Sequence, residues 1–304
     1  PSPTASKVNH LYGVKAWKSW VRQQNKQRTQ SEPPFAALSR PADLKEDILE
    51  CNSVELSFAL TRFVQEVRRP NGDAYSPDSI FYLCLGIQQG QYLFLQGRIE
   101  NIFTDPLYGQ FAGEITEMLR TWRPKFSPGG AVAASRVAES YLWECKQLGA
   151  YSPIVLLNTL LFFCTKHFGY TTLEQHRRLS FSNFTRCSKP CSRTGKSSYL
   201  LHRSSSTAPP RQETGWFSEH LRKRQTAEEL EMHQNVANAL QCPVRLYEFY
   251  LSRCPESVKK RTDVFYLQPE QNVHTHSCHW FTCQPLERST LESMLTRILA
   301  VREV

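Results

Sequence analysis

Residues 153–171 read PIVLLNTLLFFCTKHFGYT. The apolar run from Ile154 to Cys164 is interrupted only by Asn158 and Thr159. It follows a proline, which a first helical turn accepts because its missing N–H would have no partner there anyway. The stretch predicts a buried helix over Pro153–Phe168, turned at Gly169. Its span of 11 positions falls well short of the ~18–20 residues a membrane helix needs, so this piece of chain is expected to be soluble. The run marks the core of the second half of the sequence, and the organisation is read outward from it.

Upstream, Ser135–Leu148 predicts a preceding helix. Before it, residues 124–131 hold Pro124, Pro128, Gly129 and Gly130 and read as a hinge. Further back the pattern is helical. In Asn9–Asn25, Leu11, Val14, Trp17, Trp20 and Val21 recur at three- and four-residue spacing, with Lys15, Lys18, Arg22 and Lys26 largely off that stripe. Residues 26–41, with Pro33, Pro34 and Pro41, read as a linker. A helix capped by Ser53 follows, burying Leu56, Leu60, Phe63, Val64 and Val67. Another opens at Ser76-Pro77, and more helix is expected around Pro106–Thr121.

Downstream of Gly169 the pattern shifts to short extended pieces: Leu179–Phe184, Ser198–His202, Val264–Leu267 and His279–Cys283. Residues 186–214, rich in Ser, Arg and Pro, are expected to be a poorly ordered insert. Helix is expected again over Ala227–Leu240 and Val244–Leu251. A last helix is expected from Ser289-Thr290-Leu291-Glu292, a capping-box pattern. The fold class is therefore mainly α with a small β-sheet: a helical domain over residues 1–123, then an α+β domain over 132–304.

The 304 residues are 40% hydrophobic and 12% aromatic, which supports a real core. Ten scattered cysteines, several in apolar surroundings, read as reduced thiols of a cytosolic or nuclear protein. The formal charge of +9 is segregated. Residues 1–40 carry seven Lys/Arg against one Glu, and residues 176–225 carry eleven against two, so the rest is net acidic. Such segregation attracts phosphates or acidic partners. Beginning on Pro1, the sequence is expected to be part of a longer polypeptide.

Several strings then point to one family: Trp17-Lys18-Ser19-Trp20; Phe63 to Arg69 leading through Asn71-Gly72 to Tyr75-Ser76-Pro77 and Leu85-Gly86-Ile87-Gln88; Asn158 to His176; Cys242-Pro243-Val244 with Tyr250, Cys254-Pro255 and Phe265 to Pro269; and Trp280-Phe281-Thr282 followed by Leu286 to Arg297. In this order the chain resembles the C-terminal domain of the MYM-type zinc-finger proteins, a domain related to the tyrosine recombinases of Crypton transposons. The resemblance implies a two-domain recombinase-like architecture, with a helical core-binding domain and a degenerate catalytic-like domain. It also implies a nuclear protein of chromatin and transcription regulation. The partners it implies are corepressor proteins of the histone deacetylase and lysine demethylase kind, with duplex DNA as the alternative.

Recombinase chemistry needs a tyrosine nucleophile and cations aimed at a phosphate that gathers charge in the transition state; one such donor is worth ~10²–10³ in rate. The resemblance puts the first arginine in a turn that here reads Gly169-Tyr170-Thr171, and a threonine cannot grip a phosphate bidentately. None of the nine histidines has an arginine three residues later, and His220 with Lys223 comes nearest. That box and the nucleophile are expected beyond Val304. The chain is expected to be no enzyme, to take no small-molecule substrate, and to keep His176 as a structural group.

Two functions remain. One is an interaction scaffold within a corepressor complex. The other is a sequence-independent DNA clamp that contacts phosphates through Lys15, Lys18, Arg22, Lys26, Arg177, Arg178, Arg222, Lys223 and Arg224. For metal, Cys187, Cys191, His276, Cys278 and Cys283 are the candidates, but their spacing matches no standard finger and alternate strand residues face opposite ways. No cofactor is expected in this segment; zinc belongs to MYM fingers outside it.

Overall fold

The computed structural model describes residues 9–31, 43–94, 100–122, 135–191, 195–203, 229–274 and 276–304. The chain forms two compact units. Unit 1 comprises Pro1–Gln147 together with Thr296–Glu303, and unit 2 comprises Leu148–Leu295 with Val304.

Unit 1 is built on helices α1 (Asn9–Ser31), α2 (Ser53–Glu66), α3 (Pro77–Phe94), α4 (Gly109–Arg120) and α5 (Glu139–Glu144). Trp17, Trp20 and Val21 lie on the buried stripe of α1, where the two indoles pack on each other and on Phe63 with centroids 5.4–5.7 Å apart. The polar ends of that cluster are tied as well: Trp20 Nε1 donates to Glu66 at 3.2 Å, and Arg62 pairs with Glu66 at 2.9 Å. Helices α1 and α3 approach closely at Gly13, where an added methyl would overlap the Leu83 carbonyl oxygen. α2 starts at a capping box between Asn52 and Glu55, so the cap is Asn52 and Ser53 is the first helical residue. The chain end returns to this unit through a parallel bridge, Val137 to Val301, in which the Arg302 amide donates to the Val137 carbonyl at 2.8 Å.

Unit 2 is organised by α6 (Pro153–Phe168). Ser152 caps its start, Pro153 occupies the first turn, and Gly169 ends it with φ +67°. Thr159, buried within α6, bonds both the amide and the carbonyl of Gly149 at 2.8 and 3.1 Å, pinning the incoming loop. The short α7 (Leu173–Arg177) follows, then an antiparallel sheet in the order β1 (Phe184–Cys191), β2 (Gly195–Arg203), β3 (Glu229–His233). Helix α8 (Pro243–Arg253) packs on α6. Strands β4 (Leu267–Pro269) and β5 (Phe281–Pro285) form a second ladder, and α9 (Arg288–Ile298) closes the unit, its last residues counting with unit 1. The core here is aromatic: Phe184 stacks on Phe265 at 4.5 Å, and the buried Tyr250 donates to the Phe265 carbonyl.

The mixed α+β class is the one expected, and several local expectations are corrected. α1 continues to Ser31, so the stretch 26–31 is helix rather than linker; 32–41 and the 124–131 hinge lie outside the described residues. Residues 186–191 and 195–203, expected as poorly ordered, are the paired strands β1 and β2, because Leu200, Leu201 and His202 are buried beneath a polar outer face. Residues 204–214 of that insert lie outside the described residues. Where a helix was expected over Ala227–Leu240, Glu229–His233 is a strand: Met232 is buried, and Arg203 pairs with Glu229 across the ladder at 2.9 Å. α5 is shorter than the expected Ser135–Leu148, and α9 opens at Arg288 rather than at Ser289. Among the described residues, no helix is long and apolar enough to cross a membrane.

Candidate functional site

A cavity of about 820 Å³ opens in unit 1. Three stretches and the chain end build it. From α1 come Tyr12, Lys15 and Ser19; from the end of α2 and the start of α3 come Arg68, Arg69, Tyr75 and Tyr82; from 136–141 come Arg136 and Tyr141; and from the chain end comes Arg302. Each cation is placed by backbone architecture. Arg68 and Arg69 sit on a tight turn in which Arg68 bridges Ala74 and the Arg69 amide donates to the Asp73 carbonyl at 2.8 Å. Arg136 and Arg302 flank the Val137–Val301 bridge, which brings residues 166 positions apart to one rim.

Among the described residues, five cations line this cavity and no carboxylate does. Two guanidinium groups are steered by neutral carbonyls. Arg68 Nη1 donates to the Val67 and Gln65 carbonyls at 2.9 and 3.3 Å, and Arg302 Nε donates to the Ser135 carbonyl at 3.1 Å. Arg69 lies over the Tyr75 ring, 4.7 Å from its centroid, a cation–π arrangement that orients the head without discharging it. The nearby Asp78 is buried and turned to the backbone, accepting the Arg136 amide at 2.9 Å. Tyr82 and Tyr141 pack at 4.8 Å on the wall. Burial pushes both phenols up, Tyr141 far above the usual range, with the Cys145 thiol adding to it. The Tyr141 hydroxyl is buried beside the Cys145 thiol. Unneutralised cations around a concave wall make a site for an anion.

Of the described residues expected to meet phosphates, only Lys15 lines this cavity. Lys18 is half-buried one turn on, Arg22 is paired with Glu46 at 2.8 Å, and Lys26 is exposed. In unit 2, Arg177 pairs with Glu174 at 3.4 Å and Arg178 is exposed. Arg222, Lys223 and Arg224 lie outside the described residues. The sequence reading missed Arg68, Arg69, Arg136, Arg302 and the tyrosines. The adjacent arginines after α2 were the available signal; the pairing of Arg136 with Arg302 had none, because it arises from a long-range bridge.

At the position where the recombinase resemblance calls for an arginine, Thr171 is exposed and its amide donates to Gln175 at 3.0 Å. His176 is fully buried, its Nδ1 2.9 Å from the Tyr266 hydroxyl and its Nε2 2.8 Å from the Tyr170 carbonyl. Burial lowers its pKa to about 4, so at neutral pH it is an uncharged packing group. Among the described residues, no three His, Cys, Asp or Glu side chains are grouped to hold a metal. Cys187 and Cys191 lie on β1, while His276, Cys278 and Cys283 are exposed, with Cys283 3.5 Å from Ser257.

The family model described as a domain of unknown function (DUF3504) matches residues 133–300, and one described as the QRICH1 domain matches residues 7–122. The chain belongs to the DUF3504 family. It is 49% identical over 304 residues to mouse (Mus musculus) zinc finger MYM-type protein 3, covering 99% of this chain and 22% of that protein. Human (Homo sapiens) zinc finger MYM-type protein 2 is 43% identical over 296 residues, 97% of this chain and 21% of that protein. The mouse transcriptional regulator QRICH1 is 37% identical over 314 residues, 100% of this chain and 39% of that protein. The chain thus spans between about a fifth and two fifths of the length of these relatives. No solved structure matches it.

Proposed function

We propose that this chain is a non-catalytic binding module of a nuclear transcriptional regulator, and that it holds an acidic segment of a protein partner on the cationic cavity of unit 1. The observation that carries this is the convergence of Lys15, Arg68, Arg69, Arg136 and Arg302 on one cavity without a lining carboxylate. A folded chain keeps such mutual repulsion at one place when a ligand offsets it. The names of the relatives, a zinc finger protein and a transcriptional regulator, support a role in transcription. On the resemblance to the MYM-type zinc-finger proteins, the scaffold's partners are corepressor proteins of the histone deacetylase and lysine demethylase kind. The recombinase resemblance frames Thr171 and the uncharged His176 as the remains of a site that no longer stabilises a developing phosphorane.

A DNA clamp is the second reading, favoured by the continuation of positive charge from Lys15 along α1 to Lys18 and Lys26. Fluorescence-anisotropy titrations of the 304-residue chain with a labelled poly-glutamate peptide and with a short labelled duplex separate the two. The peptide is expected to bind and the duplex to compete poorly. A duplex that outcompetes the peptide, with affinity collapsing steeply between about 50 and about 200 mM salt, transfers the function to the clamp. A covalent DNA–tyrosine adduct on a nicked substrate overturns the non-catalytic assignment.

A further inference from the structure

The cavity gathers more cations than one carboxylate can engage. One carboxylate is satisfied by the fork of one guanidinium, so a single glutamate engages one of the five cations. A phosphate monoester brings about −1.5 to −2 charge and three strong acceptor oxygens in one group. Several of the heads are also held in place. Arg302 spends its Nε on the Ser135 carbonyl and Arg68 one Nη on backbone carbonyls, which fixes both side chains while leaving other N–H groups free. Arg69 is oriented by Tyr75. The volume of about 820 Å³ falls in the range of sites that enclose a side chain or small ligand. Duplex DNA instead presents its charge strung along an axis, about one per 1.7 Å, which suits a line of cations better than a convergent cavity.

We propose that the unit 1 cavity is a receptor for a single phosphate monoester carried on a partner's serine or tyrosine, gripped by Arg69, Arg136 and Arg302 with Lys15 and Arg68 at its edge. This rests on the reading of that cavity as the partner-binding surface. It makes binding switchable, since a kinase or phosphatase acting on the partner creates or removes the ligand.

The test uses fluorescein-labelled glycine–serine peptides carrying one phosphotyrosine or one phosphoserine, their unphosphorylated twins, and twins with glutamate at that position, titrated against the intact chain. At least one phosphopeptide is expected to bind ten-fold or more tightly than its unphosphorylated and glutamate twins, and inorganic phosphate to compete. Arg69→Gln and Arg136→Gln are each expected to weaken it about ten-fold, and Arg69→Lys to weaken it less. Arg177→Gln in unit 2 is expected to leave it unchanged. Arg136 is exposed, so its variant tests the site without disturbing packing, and circular dichroism checks each fold. A glutamate twin that binds as tightly as the phosphopeptide removes the phosphate receptor and leaves the acidic-segment reading standing. If no peptide binds and the duplex does, both readings fall.

Discussion

His176 shows how one buried side chain sets a pH dependence. Its pKa is held near 4 by burial, against about 6.5 in an unfolded chain. The unfolded state therefore takes up a proton that the folded state refuses, and stability falls as pH drops through the window from about 6.5 to about 4. The loss due to this residue is about 2 kcal/mol by pH 5. His202, also lowered to about 4 by burial, acts in the same direction. Urea unfolding at pH 7 and pH 5 is expected to show this slope, and His176→Gln to flatten it; an unchanged slope in that variant assigns the effect elsewhere. Gly13 carries a different kind of constraint. In an isolated helix, alanine is better than glycine by about 1 kcal/mol, but here the added methyl meets the Leu83 carbonyl, and backbone yields less than side chain. Gly13→Ala is expected to destabilise by about 1–3 kcal/mol in chemical denaturation. An increase in stability contradicts the close approach of α1 and α3.

At the level of elements, α6 was readable because its signals agree: Ser152 and Pro153 at the start, Gly169 at the end, and a run with no charge before Lys166. Ser152→Ala removes the acceptor for the Val155 amide and is expected to cost about 1 kcal/mol, measured as a lower unfolding midpoint. No change in midpoint refutes the cap. The helices of unit 1 were legible for the same reason, through the three- and four-residue spacing of Trp17, Trp20 and Val21 or of Leu56, Leu60 and Phe63. The strands were not. Glu229-Leu230-Glu231-Met232-His233 is made largely of helix-forming residues, yet it pairs with β2 because Met232 fills the core and Glu229 meets Arg203 at 2.9 Å. Tertiary pairing overrides a propensity worth tenths of a kcal/mol per residue. Likewise the serines and basic residues of β1 and β2 look like loop composition, because burial in the hairpin is concentrated at the end where Phe184 pairs with His202, next to Leu200 and Leu201.

At the level of the whole molecule, charge segregation correctly flagged the first forty residues as basic, but the count along the chain could not find the cavity. Its cations come from positions 15, 68, 69, 136 and 302, and only the fold puts them on one wall. Residues 135–141 and the chain end contribute as much as the basic helix does. For the same reason the Arg177-Arg178 pair that stood out in the sequence does not line the cavity: Arg177 is paired with Glu174, and Arg178 is exposed. The most direct test is therefore one of location. Affinity of the intact chain for its anionic ligand is measured for the Lys15→Gln/Arg69→Gln/Arg136→Gln variant and for the Arg177→Gln/Arg178→Gln variant, side by side with the unmodified chain at one salt concentration. The expected result is a loss of ten-fold or more in the first and no change in the second. Full binding by the first, or loss in the second alone, contradicts the assignment of function to the unit 1 cavity.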